Sequence, residues 1–300
     1  MEERFFHQLE EIIRKNLNQR GIEHVRLMGQ LEEAAAELFN GSRIFIVTGF
    51  AIRQAMAGET DGPIGAVALA SALEQLGKET VLITDCYSSS LLHQALKVKG
   101  MKTPVEIISH GEELDMSKQI LKKYRPSHIV AIERPGRAAD GKCYSMRGED
   151  LSDLVPNTDI LFEQAKQQRI PTIAVGDGGN EVGMGKIRSQ VIRTVYKGDQ
   201  VCAVFATDIL ILAGVSNWGG HALAAALSIK ARRMLLHDQE AEIRLLKTIV
   251  QSGAVDGCTK KPTLTVDGLS LKDNLEILNC LRGVVELALS ADQSFCKSVS

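Results

Sequence analysis

The sequence predicts an α/β protein with a Rossmann-like, mostly parallel sheet, helices on both faces and β-hairpin insertions. Three observations carry that prediction. Short β-branched apolar runs alternate with longer stretches at helical spacing, the pattern of successive βαβ units. The apolar load falls on Ala, Leu, Ile, Val and Gly, with only 4% aromatic residues, which suits helices layered on a parallel sheet better than a β-sandwich. Several apolar runs end in glycine-rich, charged loops, the position at which open α/β sheets bind ligands.

Residues 2–18 place Phe5, Leu9, Ile12, Ile13 and Leu17 on one helical face and stop at Gly21. Residues 26–39 repeat the pattern with Leu27, Leu31, Ala35 and Leu38. Strands bounded by turn residues are expected at Arg43–Thr48, Thr80–Thr84, Val105–Ser109, His128–Glu133, Thr172–Val175 and Asp208–Ala213. Helices are expected at 63–76, 88–99, 112–124, 158–168 and 219–236, giving right-handed crossovers between parallel strands. The stretch 134–157 is long and rich in Gly, Arg and Asp, and such loops in compact domains are usually functional or disordered. A hairpin is expected within 176–206, because Arg188–Tyr196 and Val201–Phe205 are β-rich and flank Lys197-Gly198-Asp199. After a helix at 238–252, alternation across Thr263–Leu271 about Asp267-Gly268 predicts a second hairpin, and a last helix covers 273–290. With no repeat or linker, the expectation is one domain over 1–300: N-terminal helices 1–40, core sheet 41–236 and a C-terminal helix-hairpin-helix 237–300.

Of 300 residues, 44% are hydrophobic and 24% charged, ordinary globular values with ample material for a core. A formal charge of −2 leaves no electrostatic footprint for nucleic acid or an anionic membrane. No apolar stretch reaches the ~18 residues of a membrane span, and the acidic start Met1–Phe6 lacks the features of a signal peptide. The expectation is a soluble, cytoplasmic protein acting on a small molecule. Cys86, Cys143, Cys202, Cys258, Cys280 and Cys296 are scattered without a C-x-x-C pair, so most are expected to be reduced, buried apolar residues rather than disulfides or zinc ligands.

Four loops carry the chemistry. The most informative, Gly176–Lys186, follows a buried strand and brings Asp177, Asn180, Glu181 and Lys186 among glycines, of which Gly178 and Gly179 allow close backbone approach. Asp177 and Glu181 could share a divalent cation, Mg²⁺ or Mn²⁺, or one could act as general base. The loop from Thr48-Gly49 to Gly65 ends in a helix opened by Pro63, the design of an anion site. Its Glu59 and Asp61 fit a substrate ammonium or a cation better than a polyphosphate, and a plain N-cap by Thr60 or Asp61 is the structural alternative. It contains neither G-x-G-x-x-G nor a Walker pattern. In Glu133–Lys142, Arg134 could grip a substrate carboxylate bidentately beside Glu133, or the two could pair to close the loop. In Ala213–His221, Ser216, Asn217 and His221 stand at a helix start where amides can hold an oxyanion, and Trp218 could wall a pocket. A nucleophile elbow G-x-S-x-G is absent.

Taken together, T-G-F, G-E-T-D-G-P-x-G-A, E-R-P-G-R-A-x-D-G, G-D-G-G-N-E-V-G-M-G and S-N-W-G-G resemble the D-glutamate cyclase family, in the glutamate-cyclase-like domain that forms the C-terminal part of the longer enzyme. The resemblance covers roughly residues 40–290 with the motifs in the family's order, and it implies the stand-alone bacterial form. It also implies an intramolecular dehydration, in which the α-amine of D-glutamate attacks its own γ-carboxylate to give 5-oxo-D-proline and water. For that reaction Asp177, Glu181 and Glu133 are the candidate catalytic carboxylates. Thr48, Gly49, Glu59, Asp61, Arg134, Gly178, Gly179, Asn180, Ser216 and Asn217 are the candidate substrate contacts. No nucleotide is needed, Mg²⁺ or Mn²⁺ held by Asp177 and Glu181 is the candidate cofactor, and the Ala-rich helix at 222–231 could pack against the sheet or against a second subunit of a homo-oligomer. The alternatives are a hydrolase or lactamase of a related cyclic amide and a non-catalytic amino-acid-binding module.

Overall fold

The structure, a computed structural model, describes residues 2–299. The chain opens with helices α1 (Glu3–Ile13), α2 (Leu17–Arg20) and α3 (Gln30–Asn40). Strand β1 (Arg43–Thr48) leads to a small hairpin, β2 (Ala51–Ile52) and β3 (Ala57–Gly58), and then to α4 (Pro63–Gln75). The units β4 (Glu79–Thr84), α5 (Ser89–Lys99), β5 (Val105–Ile107), α6 (Glu113–Tyr124), β6 (His128–Ile132), α7 (Asp159–Gln167) and β7 (Thr172–Gly176) follow. A 3₁₀ turn at Met184–Ile187 precedes α8 (Arg188–Thr194), α9 (Gly198–Val201), β8 (Ile209–Leu212) and α10 (Ser216–Lys230). The chain ends with α11 (Gln239–Gln251), the hairpin β9 (Thr265–Val266) and β10 (Leu269–Ser270), and α12 (Leu271–Val299).

Six strands form one parallel sheet in the order β5-β4-β1-β6-β7-β8. Counted along the sheet strands alone this is the doubly wound order 3-2-1-4-5-6, which reverses direction between β1 and β6. Strand residues alternate between the two faces. Ile44, Ile46, Leu82, Val130, Ile132, Ile173 and Val175 pack into a core with α1, α3, α4, α5, α10, α11 and α12. Phe45, Val47, Val81, Ile83, Ile129, Ala131 and Ala174 pack into a second core with α2, α6, α7 and α8. Both faces are therefore covered, which is why the strands read as unbroken apolar runs.

The α/β expectation holds, and so does the hairpin about Asp267-Gly268. The hairpin expected across 188–205 is replaced by α8 and α9. Ile187, Val191 and Val195 recur every four residues and are all buried, so burial of one helical face overrides their β propensity. A hairpin at 51–58 takes the place of a plain loop. Of the cysteines with described side chains, Cys143 and Cys202 are buried, Cys86 and Cys258 exposed and Cys280 intermediate; the side chain of Cys296 lies outside the described residues. Among the described residues no helix is long and apolar enough to cross a membrane.

Helices α4 and α10 meet backbone to backbone. A Cβ on Gly220 would stand 2.6 Å from main-chain atoms of Gly65, and one on Gly65 would stand 2.8 Å from Cα of Asn217. Gly220→Ala is therefore expected to cost about 1–3 kcal/mol through overpacking, measured by urea denaturation. Gly283→Ala in α12, where a Cβ meets nothing within 4 Å, should instead stabilise by about 0.5–1 kcal/mol. A pH effect follows from Asp159, whose Oδ2 accepts from the Arg137 amide at 3.0 Å while its buried Oδ1 has no partner. Burial pushes this carboxyl from 3.8 up to about 7. Its contribution to stability is complete below the ordinary pKa and is lost as the pH rises through about 7. Comparing urea midpoints at about pH 5 and pH 8, the wild type should lose more stability than Asp159→Asn.

Candidate functional site

The reversal of strand order places the ends of β1 and β6 side by side and opens the crevice in which doubly wound folds bind ligands. Directly after β6, Glu133 has φ 47°, a left-handed conformation that is uncommon outside glycine. Its carboxylate is buried and accepts from Ser216 Oγ at 2.6 Å. The next residue turns away. Arg134 is completely buried, and its guanidinium donates to Thr158 Oγ1 at 3.0 Å, Gly49 O at 2.9 Å, Asp85 Oδ2 at 2.5 Å and Pro156 O at 3.2 Å. These bonds tie the loop after β6 to β1, to the turn after β4 and to the start of α7. They leave Arg134 no reach toward a substrate, and its partner is Asp85 rather than Glu133. Thr48 and Gly49 lie beneath, with Gly49 at φ 112° pressed against Ser88.

Two side chains occupy the helix N-termini that the sequence offered as anion sites. Asp61, just ahead of α4, accepts the amides of Ser216 at 2.8 Å and Asn217 at 2.7 Å from α10. Asn217 reciprocates, accepting the amides of Gly62 at 3.0 Å and Gly65 at 2.7 Å and donating to Thr60 O at 2.9 Å. Each helix is thus capped from the other, satisfying amides that would otherwise lack partners. Asp61 and Asn217 are structural caps at these bonds, and Ser216 reaches the crevice only through Glu133.

The loop after β7 is organised by its own acid. Glu181 Oε1 accepts the amides of Asp177 at 3.1 Å and Gly178 at 2.7 Å, and its Oε2 accepts that of Gly179 at 2.6 Å. Asn180 donates to Tyr144 O at 2.7 Å and accepts the Gly136 amide at 2.8 Å on its own carbonyl. A bridge between Pro135 and Glu181 joins this loop to the one after β6. Lys186 points elsewhere, donating to Gln30 Oε1 at 3.1 Å and to the carbonyl of Asp208.

These loops wall a cleft of about 120 Å³. Glu133, Asp177, Asn180 and Glu181 line its floor, and Phe50, Ile52 and Glu59 bring in the β2–β3 hairpin and the segment after it. Ser145, Met146, Arg147 and Glu149 come from the long 134–157 loop, and Gly257, Cys258, Lys260 and Asp267 from the chain around β9. Asp256 shapes that last segment by accepting the amides of Cys258, Thr259 and Gly268. Arg20, the last residue of α2, donates to Asp177 Oδ2 at 2.7 Å and to Asp267 Oδ2. Arg20, Arg147, Lys260 and Asp267 were not among the expected site residues. A guanidinium far from any strand end carries no local signal, and Asp267 reads as a turn residue in Asp-Gly. Trp218 and His221 are outside the cleft; Trp218 Nε1 donates to Asn274 Oδ1 at 2.8 Å within the core.

Glu59, Asp61, Glu133, Asp177, Glu181 and Asp267 thus converge on one region, a concentration of negative charge. Burial first, and then the neighbouring carboxylates, hold Glu59, Asp61 and Glu133 well above the usual carboxylate range, although amides from Ser216 and Asn217 oppose the shift at Asp61. Asp177 is also raised by burial, with Arg20 acting against it and Glu133 with it. Burial works against the Arg20 charge, but Asp177 and Asp267 outweigh it and hold the guanidinium firmly protonated. One oxygen each from Glu133, Asp177 and Glu181 lies within 4.8 Å of the others, and the same is true of Asp61, Asp177 and Asp267. An all-carboxylate donor set of this kind suits a hard divalent cation such as Mg²⁺ or Mn²⁺.

A family model described as "D-glutamate cyclase-like, C-terminal" matches residues 9–282. Over 238 residues, 74% of this chain, the sequence is 39% identical to the human mitochondrial D-glutamate cyclase. The match spans 38% of the length of that relative.

Arg134 and Arg147, both in the long loop, should behave oppositely on substitution. Arg134→Met leaves Asp85 buried without its cation and is expected to cost about 3–5 kcal/mol, visible as a lowered urea midpoint. Arg147→Gln, at an exposed position on the cleft wall, should stay within about 0.5 kcal/mol of the wild type.

Proposed function

This chain belongs to the D-glutamate cyclase-like, C-terminal family, and from that premise we propose that its cleft dehydrates D-glutamate to 5-oxo-D-proline. The observation that carries the proposal is the meeting of buried carboxylates, held well above the usual carboxylate range, with cationic side chains in one cleft. The reaction forms a bond from the α-nitrogen to the carbon of the γ-carboxylate, Cδ, and breaks one of the bonds from that carbon to oxygen. Two protons leave the α-ammonium, and the departing oxygen carries two away as water. No outside acid, base or nucleotide enters the balance. The site must move protons over a short distance from nitrogen to oxygen.

Glu133 suits that transfer. Burial and the surrounding carboxylates make it a stronger base than an ordinary glutamate, and Ser216 fixes the direction of its Oε2. Asp177 is held by Arg20, and Glu181 by three amides, so both keep fixed positions beside Glu133. These two would hold the divalent cation, which when bound supplies neutralisation of the γ-carboxylate, otherwise a poor electrophile. The acidic wall at Glu59 attracts the substrate ammonium. Arg147 and Lys260, rather than Arg134, face the cleft to engage the α-carboxylate. Holding a flexible chain in a near-attack geometry can contribute up to about 7–11 kcal/mol in favourable intramolecular reactions.

The purified protein is to be incubated with D- and L-glutamate, with Mg²⁺ or Mn²⁺, and 5-oxoproline followed by NMR. Conversion of D-glutamate is expected, with Glu133→Gln reducing kcat by roughly 10²–10⁴-fold and Arg147→Gln acting mainly on KM. Absence of product from D-glutamate with either cation overturns the proposal. Ring opening of added 5-oxoproline without the forward reaction would point to the lactamase alternative instead.

A further inference from the structure

We infer that His221, His237 and Glu242 form a second, buried metal site, separate from the acidic cleft and suited to one Zn²⁺ ion. The three residues come from different segments: His221 from α10, His237 from the turn that follows it and Glu242 from the first turn of α11. One ligand atom from each lies within 4.8 Å of the other two. Their side chains are only 2%, 4% and 4% exposed. The two rings meet edge to face with centroids 5.3 Å apart, which turns both toward the same carboxylate.

Hydrogen bonding leaves this cluster incomplete. His237 Nε2 lies 2.6 Å from Glu242 Oε2 and bonds to it. His221 Nε2 lies 3.3 Å from the same oxygen but makes no hydrogen bond. Nδ1 of His221 and Nδ1 of His237 also lack partners. A buried polar atom without a partner costs about 1–3 kcal/mol, so a helix interface assembled for stability alone would not gather these groups. A cation between them would be bound by the Nε2 of a neutral His221 and by the carboxylate it faces at 3.3 Å. In a tetrahedral zinc site with bonds of about 2.0 Å, neighbouring ligand atoms stand about 3.3 Å apart, the His221–Glu242 separation.

The donor set chooses the metal. Two imidazoles and a carboxylate favour Zn²⁺, whereas the all-oxygen cleft favours Mg²⁺ or Mn²⁺. On binding, the Nε2 proton of His237 passes to solvent and the neutral ring keeps its hydrogen on Nδ1. The three buried residues supply three of the four tetrahedral positions. The metal would fasten α11 to α10, the helix whose first turn supplies Ser216 and Asn217 to the switch point.

The test uses the full chain, stripped of metal by a chelator and titrated with Co²⁺ and then Zn²⁺. Cobalt in a tetrahedral nitrogen-containing site absorbs strongly in the visible region, whereas cobalt among carboxylates and water absorbs weakly. One equivalent of Co²⁺ should produce the strong band and Zn²⁺ should abolish it. The band should persist in Asp177→Asn. Loss of a mere supporting partner weakens metal binding about 10–100-fold, so His221→Gln or His237→Gln should weaken it by at least that much. Added Zn²⁺ should raise the unfolding temperature of the wild type but not of His237→Gln, which carries the test should His221→Gln fail to fold. No strong band in the wild type, or a band that survives the histidine substitutions, overturns the inference.

Discussion

The burial of like charge at one point of the sheet is the constraint on which the rest of this structure depends. Two unit charges 4 Å apart interact by about 4 kcal/mol at an effective dielectric of 20, so a group of buried carboxylates cannot simply coexist. Each acid is accommodated differently. Glu181 and Asp61 accept backbone amides, Asp177 and Asp267 share Arg20, and burial together with neighbouring carboxylates holds Glu133 and Glu59 well above the usual carboxylate range. These solutions recruit distant chain. Arg20 brings α2 to the crevice and Asp267 brings the C-terminal hairpin, so the two ends of the fold meet over the sheet because the charges there require them.

The same economy governs the helix termini. The exchange of caps between Asp61 and Asn217 lets α4 and α10 start side by side, and the glycines at 65 and 220 let their backbones touch. That arrangement consumes the amides that many α/β proteins present to a phosphate. The groups that face this cleft are therefore side chains, carboxylates on the floor with Arg20, Arg147 and Lys260 beside them. Arg134, the most conspicuous charge in its motif, works beneath the floor and holds three loops in register.

Much of the fold was legible because its signals are local. Ile44, Phe45, Ile46 and Val47 form a strand covered on both sides, and their composition says so. The stretch 188–195 was misread because β-branched residues suggested strands, although Ile187, Val191 and Val195 already stood at helical spacing. At the site, Glu133, Asp177, Asn180 and Glu181 could be found because they sit in glycine-rich loops at strand ends. Arg20, Lys260 and Asp267 could not, since their role exists only once the chain has closed.

The sequence by itself determined the parallel sheet, the strand-end location of the candidate site and the family. Periodicity, strand-end glycines and ordered motifs are properties of short windows. Only the tertiary structure decided which charges face the cleft and which are spent holding it together. The direction of a side chain and its burial depend on segments far apart in sequence, and the roles of Arg134, Asn217 and Arg20 follow from that packing.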